Sequence, residues 1–308
     1  CGCTDFRATD SGGLLSMHGL LASVVWIALA RMTPSIGVVA LLAMTGLVRA
    51  QQVADTFFRP PIEKPTHATG AGPVVLIDEG HFNFHTSSGR YSAFADLLRR
   101  DGYVVRPSTG TFRSDGWGSG KVLVIANALH EENDRNEWKP PFRPAFTPEE
   151  VDAVRNWVAG GGRLLLIADH APFDSAAASL AGTFGVKFRD AATVGADASQ
   201  IRVFKKSDGT LREHPLTREI DQVATFSGGW FDQGLLGQPL MFYGAEGQSP
   251  VQGAVIVFGK GKVAVFGEAA MFSAQLAGPN KVPMGMNAPG AEKNAQLALN
   301  LMRWLTMD

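Results

Sequence analysis

Residues 147–170 read TPEEVDAVRNWVAGGGRLLLIADH, and this stretch decides the fold class. Thr147 with Glu150 three residues on is a capping box, in which each side chain answers a free backbone N–H at the start of a helix. The helix is expected to run to about Ala159 and to stop at Gly160-Gly161-Gly162. Arg163–Asp169 (RLLLIAD) then follows as an unbroken apolar run, the pattern of a strand buried on both faces.

The same grammar extends outward on both sides. Pro73–Asp78 (PVVLID) and Lys121–Asn127 (KVLVIAN) are further apolar strands, and Tyr103–Arg106 is a shorter one. Tyr91–Arg100 places Phe94, Leu97 and Leu98 on one helical stripe and ends at Asp101-Gly102. Asp174 is expected to cap a helix through Ala181. Ala254–Phe258 and Lys262–Phe266 flank Gly259-Lys260-Gly261 as a hairpin. Glu292–Leu305 closes the chain as an amphipathic helix carrying Leu297, Leu301 and Trp304. This order predicts one α/β domain over residues 73–308, doubly wound, with a mainly parallel sheet and helices on both faces.

The remaining chain reads differently. Residues 1–50 hold two apolar runs, Gly19–Ala30 and Ile36–Val48, each short for a bilayer span of about 20 residues. Val48-Arg49-Ala50 fits a signal-peptidase site, so export with cleavage after Ala50 is expected, to a periplasmic or secreted destination and without stable membrane insertion afterwards. Residues 51–72 are Pro-rich and read as a linker or N-terminal arm. Lys and Arg total 28 against 29 Asp and Glu, with no basic run, which argues against nucleic acid as a partner. The only two cysteines, Cys1 and Cys3, fall within the leader. That excludes a disulfide framework, thiolate-bound zinc and a cysteine nucleophile from residues 51–308.

In open parallel sheets ligands sit beyond the carboxyl ends of the strands. Those ends are rich in chemistry here. The first strand runs into Asp78-Glu79-Gly80-His81, with His85 beyond. The next ends at Asn127 with His130 following, then come Asp169-His170 and the late Gly267-Glu268. Ionisable groups are costly to bury together unless paired or bound to metal. Asp78, His81, His85, Asp169 and His170 are therefore expected to hold a divalent metal (zinc, or calcium or manganese) or to orient a water. His130 and Glu268 are expected as general acid and base. A metal-free acid/base site or a loop-holding polar network are the alternatives. No nucleotide or organic cofactor is indicated. There is no G-x-S-x-G elbow, and Asp169 occupies the sharp turn where one would stand. Ser227–Asp232, with Trp230 and Phe231, reads either as the wall of a substrate pocket or as a packed turn. Gly278–Gly290 reads as a surface loop or a lid, and Glu131–Asp134 as a solvated acidic loop.

Three stretches carry a family resemblance: FTPEEVDAVRNWVAGGGRLLLIADH (146–170), GKGKVAVFGEAAMFS (259–273) and KNAQLALNLMRWL (293–305). Together they resemble the class I glutamine amidotransferase-like superfamily, in its non-amidotransferase branch of GldG-type and ThuA-like domains. The resemblance implies a flavodoxin-like sheet. Amidotransferases of this superfamily place a cysteine at the turn that reads Asp169-His170 here, so glutamine hydrolysis by that route is excluded. The expected function is hydrolysis of an ester, lactone or related acyl bond in a small molecule through activated water. The alternative is a non-catalytic ligand-binding or scaffold domain.

Overall fold

The capping box closes as its residues require: Thr147 Oγ1 accepts from the Glu150 N–H at 3.3 Å, and Glu150 Oε2 accepts from the Thr147 N–H at 3.0 Å. The computed structural model describes residues 52–189, 201–226, 228–234, 237–244 and 250–307. The expected leader, its cleavage point and Ser227 lie outside them.

In chain order the first half forms β1 (Gln52–Ala54), β2 (Val74–Asp78), α1 (Ser92–Arg100), β3 (Val104–Ser108), β4 (Gly120–Ala126), α2 (Glu131–Arg135), α3 (Pro148–Ala159), β5 (Arg163–Ile167) and α4 (Phe173–Gly182). There follow β6 (Val186–Arg189), β7 (Arg202–Lys205), β8 (Gln222–Thr225), β9 (Trp230–Gln233) and β10 (Gly237–Phe242). The chain closes with β11 (Val251–Phe258), β12 (Gly261–Phe266), β13 (Ala274–Ala277), β14 (Val282–Gly285) and α5 (Asn294–Thr306).

Nine strands make the main sheet, in the order β3-β2-β4-β5-β12-β11-β9-β6, with β10 also paired to β11. Only β3, β2, β4, β5 and β12 run parallel. β11 is antiparallel to β12, β10 and β9, and β9 is antiparallel to β6. The expected doubly wound, mainly parallel domain is therefore not what the chain builds. The sheet is mixed, and among the described residues more lie in strands than in helices. Between Gly182 and Asn294 the described residues contain no α-helix. The physical reason is local. A parallel crossover needs a long connection, whereas β11 returns into β12 through the two residues Gly259-Lys260, with Phe258 opposite Gly261.

Two smaller expectations also change. The arm at 51–72 begins with β1, which pairs with β13, itself paired with β14, so part of Gly278–Gly290 is sheet and no lid. Pro172 and not Asp174 stands at the N-cap of α4; Asp174 lies inside the first turn.

Alternate residues of the parallel strands feed two cores. Val124, Leu165, Ile167 and Phe266 pack with Phe94 and Leu98 of α1 and Leu297 and Leu301 of α5. Ile125, Leu164, Leu166 and Val265 pack with Val154 of α3 and Leu180 of α4. Fully burying each such side chain contributes about 1.5–3 kcal/mol. Among the described residues no helix is long and apolar enough to cross a membrane.

At the amino edge of the sheet, buried Arg163 fastens the last helix. Its guanidinium donates to Leu305 O at 2.7 Å, Gly161 O at 2.7 Å and Lys260 O at 2.9 Å. A cation at a helix C-terminus answers both the dipole and the free carbonyls. Arg163→Ala is expected to lower stability by about 2–4 kcal/mol, since it strands buried carbonyls. A urea titration should show a lower midpoint at unchanged slope.

Candidate functional site

Parallel pairing brings four strand ends to one edge. Ile167 of β5 is in register with Phe266 of β12 and with Ala126 of β4. The residues just beyond, Asn127, Asp169 and Glu268, therefore meet, while Asp78 ends β2 on the far side of β4. Two separate polar groups result.

The first is built on His81. Its Nδ1 lies 2.9 and 3.0 Å from the two Asp78 carboxylate oxygens, and its Nε2 lies 2.9 Å from Glu150 Oε1. Asn83 donates to Asp78 Oδ2 at 2.9 Å, and the rings of Phe112 and Phe146 flank the imidazole. Burial lowers the His81 pKa, but hydrogen bonds and charge from Asp78 and Glu150 outweigh it, and the net shift is upward. Glu150 shifts downward: burial opposes this, and the N–H groups of Thr147 and Phe112 together with His81 prevail. The imidazolium ties the loop after β2 to the start of α3.

The second group is a pair of buried acids. Asp169 accepts from Asn127 Nδ2 at 2.8 Å and from the Ala269 N–H at 2.5 Å. Glu268 accepts from the N–H groups of Ala270 and Met271, each at 2.8 Å. Burial raises the Glu268 pKa well above the usual range and the Asp169 charge adds to it, against the pull of backbone donors. Asp169 is also raised, by burial first, with Asn127, His170 and Ala269 opposing. Each charge raises the other group's proton affinity, so the two carboxyls titrate as a pair. Tyr91, whose hydroxyl donates to Ala269 O at 3.0 Å, is buried beside both, and its pKa is driven up by burial and by their charges. Backbone closes in from above: a Cβ on Gly228 would stand 2.3 Å from the Glu268 Cβ. At the rim, His170 is half-buried and its Nδ1 donates to Ala171 O at 2.9 Å, which leaves Nε2 with the lone pair when the ring is neutral.

The other expected residues fall elsewhere. His85 is buried against Tyr91 and Phe84, neither ring nitrogen has a hydrogen-bond partner, and burial with the Arg90 charge pushes its pKa down to about 3. His130 is the N-cap of α2, its Nδ1 accepting from the Glu132 N–H, so it is engaged in holding a turn. Glu131 and Glu132 pair with Arg135 and Arg143. Trp230 and Phe231 are buried residues of β9, 2% and 0% exposed, and the Trp230 ring packs on Tyr243.

The expected metal set therefore does not assemble. Both His81 nitrogens are turned to carboxylates, His85 is enclosed by aromatic rings, and Asp169 lies with Glu268. Among the described residues no group of three or more His, Cys, Asp or Glu is placed to hold an ion. Glu150, Asn83 and Tyr91 join these groups without having been singled out. Glu150 read only as a cap, Asn83 meets His81 and Asp78 within one local turn, and Tyr91 reaches Ala269 O through tertiary contact alone.

No known family profile and no curated protein matches the chain. Among solved structures it is similar to the mmIFT52 N-terminal domain, at 15% identity and TM-score 0.58, over 76% of this chain and 98% of that one. A ThuA-like protein from Bacteroides uniformis ATCC 8492 aligns at 12% identity and TM-score 0.44, over 80% and 94%. An exo-beta-1,4-mannosidase from Opitutaceae bacterium strain TAV5 aligns at 14% identity and TM-score 0.39, over 64% of this chain and 31% of its own. The first likeness concerns the fold alone.

Two stability measurements test the two groups. A carboxyl raised in the folded state costs nothing while it is protonated in both states, below about pH 4.3. Above that the unfolded chain ionises first, and stability falls until the folded pKa is passed. Glu268→Gln should thus flatten the decline of the unfolding midpoint that sets in above about pH 4.3, even though it weakens one backbone contact. His81→Leu leaves Asp78 and Glu150 buried without their partner and should cost about 3–5 kcal/mol near neutral pH. Since the His81 pKa is raised, that loss is largest below about pH 6.5 and shrinks as pH climbs through the folded value.

Proposed function

We propose that the chain is an exported hydrolase that activates water at the Asp169–Glu268 pair and cleaves an ester, lactone or related acyl bond. The observation that carries the reading is a pair of buried, pKa-raised carboxyls at the ends of β5 and β12 with His170 at their rim. Titratable groups pushed away from their ordinary values cluster at functional sites. In this reading His170 Nε2 takes a proton from water as the oxygen attacks the acyl carbon. Asp169 steadies the resulting imidazolium, and the protonated member of the pair returns a proton to the leaving oxygen. The donor geometry does not fit a metal, and no step is assigned to one. Membership of the non-amidotransferase branch of the glutamine amidotransferase-like superfamily is part of the same proposal, supported by the three stretches quoted above. They form α3 with β5, β12 with its following turn, and α5.

A second reading, a non-catalytic ligand-binding or scaffold domain, is favoured by one specific fact. His81, His130 and Glu268 each hold backbone or side-chain partners that any fold would need satisfied.

The test is a panel of p-nitrophenyl esters and lactones with the full chain. Asp169→Asn and His170→Gln are each expected to lower kcat by about 100- to 10,000-fold, with thermal midpoints within a few degrees of wild type. Turnover unchanged in either variant, or none by the wild type on any substrate, would overturn the hydrolase reading in favour of the second.

A further inference from the structure

Against Tyr243, which feels the Glu268 charge, stands a cation that no described carboxylate answers. Arg202, half-buried on β7, lies over the Tyr243 ring at 4.1 Å and near Phe204 at 5.2 Å. One Nη donates to Tyr243 O at 2.9 Å, which fixes the guanidinium plane. Among the described residues no Asp or Glu pairs with it, whereas Arg163 and Arg189 bond through two nitrogens each. A guanidinium held by stacking and one backbone contact keeps most of its planar donor fork free for a ligand.

Tyr243 connects this cation to the acids. Its hydroxyl accepts from Gln252 Nε2 at 2.9 Å, and the same amide donates to Gly229 O at 3.0 Å. Both Gln252 N–H groups are thus engaged, while its Oε1 is buried and has no hydrogen-bond partner. Leaving a buried acceptor unpaired costs about 1–3 kcal/mol, so such an atom marks a place where a donor belongs. The backbone of Gln252 accepts from the Gly267 N–H at 2.8 Å, one residue before Glu268. The Glu268 charge in turn reaches Tyr243: burial first, then that charge, against the pull of Arg202, pushes its pKa up to about 12. The phenol thus stays a proton donor at every physiological pH, and with its oxygen already accepting from Gln252 its own O–H is left to point elsewhere.

We propose that Arg202, Tyr243 and Gln252 form a recognition site for a small molecule bearing a carboxylate and a nearby N–H or O–H. The carboxylate pairs with the Arg202 fork, and the ligand's donor meets Gln252 Oε1. A single arginine matches the one charge and planar shape of a carboxylate. A phosphate dianion asks for more donors and is repelled by the amide oxygen. The site names the substrate class of the proposed hydrolase, and it rests on that reading only for the chemistry that follows binding.

The experiment measures binding, not turnover, on the full chain by calorimetry at low salt. N-acetylglycine supplies a carboxylate and an N–H; N-acetylglycinamide lacks the charge; inorganic phosphate supplies charge alone. N-acetylglycine is expected to bind saturably and at least about tenfold more tightly than the other two. Arg202→Leu should abolish the preference, and Gln252→Leu should weaken N-acetylglycine about tenfold while keeping its advantage over phosphate. Arg202→Lys keeps charge without the fork and is expected to fall between, which covers the case in which Arg202→Leu does not fold. Asp169→Asn should bind as wild type, so loss of turnover with intact binding separates failure of catalysis from failure of this site. Equal binding of acid and amide, preference for phosphate, no binding of N-acetylglycine, or wild-type binding by Arg202→Leu with Arg202→Lys would overturn the proposal.

Discussion

Two carboxyl groups, Asp169 and Glu268, are buried together, and among the described residues neither forms an ion pair with a lysine or arginine. Everything at this edge of the sheet is arranged to make that tolerable. Backbone N–H groups of Ala269, Ala270 and Met271 bond three of the four oxygens, Asn127 bonds the fourth, and glycines at 228 and 267 let the chain pass close by. Directed dipoles take the place of a counter-ion, and the price is a raised affinity for protons.

That arrangement depends on register. β12 lies beside β5 in parallel, so the residues after Phe266 and after Ile167 emerge at the same level. Had the hairpin from β11 slipped by one residue, Glu268 would face the opposite side of the sheet. The two-residue turn at Gly259-Lys260 holds the pairing, and Gly259 there adopts a φ of 59°, a conformation few other residues accept. The meeting of the two acids thus rests on a turn at the other end of the strand.

The His81 group shows a different use of the same chemistry. An imidazolium between Asp78 and Glu150 replaces a backbone contact between a loop and a helix start. It is wholly satisfied, with a nitrogen for each carboxylate, and offers no free atom to a substrate. The acid pair lacks that closure: His170 keeps a nitrogen at the rim, and Arg202 and Gln252 nearby keep a donor fork and an acceptor. The contrast between closed and open polar groups separates a structural tie from a candidate site better than residue type does.

Strand ends, helix caps and their carboxylates were legible in the chain itself, because apolar runs, capping boxes and glycine stops are local properties. Asp169 next to His170 and Glu268 after Gly267 could be named as site residues on that basis. Which of the ionisable groups would meet was not legible, because it depends on strand order and register between stretches as distant in the chain as Asp169 and Glu268. The short strands from β6 to β10 carry weak local patterns and take their form from the partners they find, which turned an expected parallel sheet into a mixed one. His81 was drawn away from the pair by Glu150, a residue whose sequence signature announced only a helix cap. Local chemistry chose the candidates; long-range pairing, through burial and the need to satisfy every buried polar atom, decided which of them form a site.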